Sequence, residues 1–190
     1  VHHVLVPGWT GSGPDHWQSH LERTLPGAVR VEQVDWDRVD RDAWIAALDR
    51  TLAGLEGPTF LIGHSCGSVT IAQWLAERRP RTVVGALLVA PADVESAAAP
   101  EAIRGQAPLP LRALPVPTHV VVSDDDPFLA RPRALLLARA WGSTIETVPR
   151  AGHIATADGY GVWPRAAALV RQMTRRQPTG RVPQAPGRSG

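Results

Sequence analysis

Residues 59–79, TFLIGHSCGSVTIAQWLAERR, decide most of what can be read about the fold. Thr59–Ile62 is β-branched and apolar and reads as a strand. Gly67–Arg79 alternates apolar and polar residues at helical spacing, and Pro80 falls where that helix must end. Between them lies Gly63-His64-Ser65-Cys66-Gly67, a G-x-S-x-G pattern in a strand–turn–helix setting. A five-residue pattern arises easily by chance; the flanking elements give it meaning. A sharp turn here lifts a serine hydroxyl above the carboxyl edge of a sheet. Gly63 and Gly67 suit it because side chains there would collide with the neighbouring strand and helix. The new helix points its N-terminal NH groups and positive dipole end at the reacting centre. Ser65 is therefore the candidate nucleophile.

Working outward, short apolar runs alternate with helical patterns. The expected strands are His3–Val6, Val29–Val34, Thr59–Ile62, Val83–Val89, Thr118–Val122 and Thr144–Val148. The expected helices are Asp15–Leu25, Asp42–Leu55, Gly67–Arg79, Pro132–Ala140 and Gly161–Arg175. Nearly continuous apolar strands suit a sheet covered on both sides. The expected fold is α/β, with about six mainly parallel strands flanked by helices on both faces. Residues 1–176 are expected to form one domain. Pro91–Pro117, rich in Ala and Pro, is either a rim or short lid over a site, or an irregular surface excursion. Gln177–Gly190 reads as a disordered Arg/Pro/Gly tail.

Composition excludes several classes. The net charge is +2, but six Arg and no acidic residue follow Asp158, so the body is mildly acidic. That disfavours a nucleic-acid surface, which needs a basic stripe on the folded part. No apolar run reaches the roughly 18–20 residues of a membrane span. The first residues, VHHVLVPGW, read as a strand and not a signal peptide, so a cytoplasmic protein is expected. One cysteine allows no internal disulfide and no metal cluster, and no metal or cofactor is expected.

A serine needs a base, and in this arrangement the order is Ser, then Asp or Glu, then His. Of the seven histidines, four precede the serine, His64 adjoins it, and His119 lies within an expected strand. His153, in TIETVPRAGHIAT after the last strand, is the candidate base, with Ala151-Gly152 as its tight loop. The acid should end the preceding strand, where HVVVSDDDPF offers Asp124, Asp125 and Asp126. The residues alone do not choose among them; two should be solvated turn residues, and Asp93 is a fallback. For the oxyanion, the backbone NH of Cys66 and that of Trp9, in VLVPGWTGSGPDHW, are the expected donors. That Gly-rich loop lacks G-x-G-x-x-G and a Walker lysine, which argues against phosphate. Trp9, His64 and Trp17 are expected to border the substrate, Trp44 and Trp74 to lie in the core, and the Cys66 thiol to be incidental.

The segments LVPGWTGSGPDHWQSHLE, LIGHSCGS, GALLVAPADVE, SDDDPF and AGHI, in this order and spacing, resemble the small serine hydrolases of the retinoblastoma-binding protein 9 and YdeN family. The resemblance covers roughly residues 3–175. It implies a minimal α/β-hydrolase that cleaves esters or related acyl compounds without a cofactor. Position by position it puts the nucleophile on Ser65, the base on His153 and the acid on Asp126, the aspartate directly before Pro-Phe. The expected partner is a small acyl substrate. A hydrolase-like binding or regulatory module is the alternative, and carbon–halogen chemistry would want an aspartate where Ser65 stands.

Overall fold

The computed structural model describes residues 1–78 and 81–175. The expected helix end at Arg79 and Pro80, the last residue of the expected domain and the expected tail lie outside the described residues. Six strands form one all-parallel sheet in the order β2-β1-β3-β4-β5-β6. They are β1 His2–Val6, β2 Ala28–Arg30, β3 Thr59–His64, β4 Val83–Val89, β5 Thr118–Ser123 and β6 Thr144–Val148. Six helices accompany them: α1 Trp17–Thr24, α2 Arg41–Ala53, α3 Cys66–Glu77, α4 Glu101–Arg104, α5 Arg131–Trp141 and α6 Pro164–Arg175.

Side-chain alternation along the strands divides the core in two. Val4, Val6, Leu61, Ala86, Leu88, Val120 and Val122 face a cluster that takes in Trp44 and Leu48 of α2, Val69 and Leu75 of α3, and Leu137 of α5. Leu5, Phe60, Ile62, Leu87, Val89 and Val121 face the other, with Trp17 and Leu21 of α1 and Leu169 and Val170 of α6. Both faces are covered, which is why the central strands carry almost no polar residue. Trp44 and Trp74 are buried in the first cluster, as expected of core residues.

The structure corrects several boundaries. β2 ends at Arg30 and does not run to Val34. Val31 still donates its NH to Leu5 O at 2.9 Å and is buried, but the chain then leaves the sheet and Val34 is 87% exposed. Helix α6 begins at Pro164 instead of Gly161; proline suits a first helical turn, where its missing NH costs nothing. Residues 91–117 contain α4 and are tied to the body. Val39 NH donates to Ala102 O at 2.8 Å, and the Gln106 amide donates to Cys66 O at 2.8 Å and Thr70 Oγ1 at 2.9 Å. Ile103, Leu109 and Leu114 are buried beneath it.

The chain leaves β1 toward β2 on one side and later returns to β3 on the other. Loops following β1 and β3 therefore diverge, and a crevice opens at their carboxyl ends. Among the described residues no helix is long and apolar enough to cross a membrane.

Candidate active site

Ser65 sits in that crevice, between β3 and α3, with φ +54° and ψ −125°. This is a strained conformation for a residue with a side chain. It is held by bonds to the end of β4: Ser65 NH donates to Val89 O at 3.0 Å, and Ser68 Oγ donates to the same oxygen at 2.9 Å. Gly63 and Gly67 allow the turn. A Cβ on Gly63 would lie 2.7 Å from Ser68 Cα, and one on Gly67 would run into the carbonyl oxygens of Val6 and Pro7. Gly8 brings the β1–α1 loop against the serine, since a Cβ there would stand 2.7 Å from Ser65 Cβ.

His153 lies on the loop after β6. Its Nδ1 is 2.9 Å from Asp126 Oδ1 and 3.0 Å from Oδ2, and the Asp126 side chain has no exposed surface. Phe128 NH donates to Asp126 Oδ1 at 2.8 Å, which fixes the carboxylate from its other side. The neighbouring Asp124 and Asp125 are exposed at a bend, as expected of solvated turn residues, but each also holds the loop after β6. Asp124 Oδ1 accepts from Arg150 NH at 2.6 Å, Ser123 Oγ from Ala151 NH at 2.9 Å, and Asp125 Oδ1 from Gly152 NH at 2.8 Å. Four consecutive residues leaving β5 thus hold four consecutive residues leaving β6. On the far side, Asp158 Oδ2 accepts from His153 NH at 3.0 Å and Ala155 NH at 3.2 Å. The loop needs this support, because Arg150, Gly152 and Ile154 all have positive φ. Asp93, the fallback acid, faces Arg133 Nε at 3.4 Å and makes no hydrogen bond to His153.

Ser65, His153, Cys66, His64 and Trp9 border one cavity of about 230 Å³, together with His16, Ile103 and Phe128 among others. Trp9 is fixed by its indole NH, which donates to Asp37 O at 2.8 Å. The backbone NH groups of Trp9 and Cys66 both lie beside the Cys66 sulfur, and among the described residues neither donates to a backbone oxygen. For Cys66 that follows from its place at the first turn of α3, where NH groups lack intrahelical partners. The Cys66 thiol is buried, and burial pushes its pKa up to about 12.

Two expected substrate contacts change. Trp17 is 1% exposed, donates its indole NH to Ile154 O at 3.0 Å, and packs edge-on to His64 and Trp163. It supports the cavity from behind and forms no part of its wall. His64 does border the cavity, but its Nε2 donates to His153 O at 2.9 Å. Burial, and after it the proximity of His153 and His16, holds the His64 pKa well below the ordinary histidine value. The sequence reading missed His16. It precedes the serine, and nothing in its spacing marks it; only its position beside the glycine-rich loop could have drawn notice. Among the described residues no group of three His, Cys, Asp or Glu side chains is placed to hold a metal ion.

The all-parallel sheet, the strained serine turn and the carboxyl-edge site define an α/β-hydrolase fold. The chain belongs to the serine hydrolase family, whose profile matches residues 3–172. It is 33% identical to a YdeN-like hydrolase from Pectobacterium atrosepticum, covering 92% of this chain and 90% of that one with a TM-score of 0.82. The YdeN protein of B. subtilis has the same fold at 18% identity, covering 93% and 100% of the two chains with a TM-score of 0.77. Est1E from Butyrivibrio proteoclasticus, solved with ferulic acid bound, shares the fold at 13% identity, 92% and 88% coverage and a TM-score of 0.69. No curated protein matches the chain in sequence.

Proposed function

We propose that the protein hydrolyses small carboxylic esters or related acyl compounds through an acyl-enzyme on Ser65. The observation that carries this is His153, paired with the buried Asp126 at 2.9 and 3.0 Å, bordering the same cavity as a serine held in a strained turn. With Asp126 accepting the Nδ1 proton, His153 presents Nε2 as a base. Ser65 Oγ attacks the acyl carbon and His153 takes its proton. The carbonyl oxygen gains negative charge and draws on the NH groups of Trp9 and Cys66. Collapse expels the leaving group, which His153 protonates. A water molecule, deprotonated by the same imidazole, then releases the acid and restores Ser65. A cavity near 230 Å³ favours short acyl groups over long chains.

The test is hydrolysis of p-nitrophenyl acetate and butyrate, beside mass spectrometry after fluorophosphonate treatment. Turnover should vanish in Ser65→Ala and His153→Ala and fall by about 10⁴ in Asp126→Asn. An inert wild type, with Ser65 unlabelled, would overturn the reading.

A further inference from the structure

One polar side chain in the cavity wall has a donor with nothing to bind. His16 is the N-cap of α1, and its Nδ1 accepts the NH of Gln18 at 3.2 Å. A nitrogen that accepts carries no proton, so in the neutral ring the proton sits on Nε2. Burial, then Arg30 and His153 close by, bring the His16 pKa down to about 4, so the neutral ring prevails at ordinary pH. His16 is only 5% exposed, yet among the described residues Nε2 has no hydrogen-bond partner. Nor is Nε2 among the polar atoms sealed away from solvent. The residue borders the cavity that holds Ser65, and that cavity is where the free NH has room for a partner.

The placement limits what such a partner can be. The His16 and His64 ring centres are 4.8 Å apart, and those of His64 and His153 are 5.0 Å apart. His16 is therefore no more than about 10 Å from His153, ring centre to ring centre, within reach of the acyl group of an ester under attack by Ser65. Trp9, Ile103, Phe128 and Ala155 make much of the remaining wall apolar. The cation beside His16 is already occupied, since Arg30 donates to Ser12 O, Ser19 Oγ and Glu22 Oε2. An anionic group would find no free positive charge there.

Resting on the hydrolase reading, we propose that His16 Nε2–H is a specificity-determining donor. It selects acyl compounds with an uncharged acceptor oxygen, a hydroxyl, ether or keto group, a few bonds from the scissile carbonyl. A plain alkyl chain of equal length strips water from this NH and returns no acceptor, which disfavours its transition state.

An isosteric pair tests this: p-nitrophenyl 3-methoxypropanoate and p-nitrophenyl pentanoate, with each kcat/KM divided by that ester's alkaline hydrolysis rate. The wild type should favour the methoxy ester about tenfold. His16→Asn keeps a side-chain acceptor for the N-cap, but its amide NH2 stops short of the position of Nε2, and the preference should fall to about one. Equal corrected rates in the wild type, or a preference that survives in His16→Asn, would overturn the proposal while Ser65 still takes the fluorophosphonate label. Failure of Ser65 to label sinks the hydrolase reading itself, and the donor role with it.

Discussion

Gly152→Ala is the sharpest probe of how His153 is held. Gly152 has φ +55°, and a Cβ there would run into the Asp158 carboxylate. Gly142, the C-cap of α5, has a similar φ of +68° but nothing within 4 Å of an added Cβ. Alanine in this region costs about 1 kcal/mol in either place. At Gly152 the carboxylate must also withdraw, releasing its bonds from His153 NH at 3.0 Å and Ala155 NH at 3.2 Å. At about 1 kcal/mol each for exposed bonds, the total reaches about 3 kcal/mol. For a domain of this size each kcal/mol lowers Tm by about 2–4 °C. Gly142→Ala should therefore lose about 2–4 °C with p-nitrophenyl butyrate turnover unchanged from wild type, and Gly152→Ala about 6–12 °C. Part of that strain can instead be relieved by a shift of the loop, which moves His153 and appears as lost turnover. Circular dichroism melts and p-nitrophenyl butyrate kinetics on both variants read the two effects. Should Gly152→Ala match Gly142→Ala in Tm and remain fully active, the described support of the loop is wrong.

Gly67→Ala places a methyl against the backbone oxygens of Val6 and Pro7, which cannot swing aside; a loss of about 3 kcal/mol, read as Tm, is expected. His16 is held neutral, with a folded pKa of about 4 against 6.5 in the unfolded chain. The unfolded state thus binds the extra proton between these values, so stability is full above pH 6.5 and falls as pH drops toward 4, by about 3 kcal/mol. Denaturant titrations at several pH values should show a shallower decline in His16→Asn; parallel curves would count against a neutral His16. The Cys66 thiol, with its pKa pushed to about 12, should ignore Ellman's reagent at pH 8 until guanidinium unfolds the chain, then react as the single cysteine.

Much of the fold was legible because its determinants are local. The strands β3 to β6 announce themselves as apolar runs, and Gly63 to Gly67 announce the turn. What failed was set by tertiary context. Val31 and Val34 look alike in sequence, but only Val31 has a core to enter at the sheet edge. Three adjacent aspartates are indistinguishable by pattern, because their roles depend on which atoms of the β6 loop face them. Trp17 lies near the site in sequence, yet the apolar gap between α1 and α6 takes it first. His16 carries no periodic signal, since its tautomer is fixed by a single backbone NH of its own helix.

The serine turn and the histidine loop belong to different parts of the sheet. Ser65 follows a fully buried central strand, whereas His153 hangs from β6, whose residues are exposed or half-buried at the edge. Elements with few buried apolar contacts are where native proteins open first. Detachment of β6 would carry away His153, the proposed base, while leaving the strained serine intact, so mild denaturant should abolish p-nitrophenyl ester turnover before the molecule melts. Operational lifetime is then governed by how firmly one marginal strand stays docked, a quantity that global stability measurements do not report.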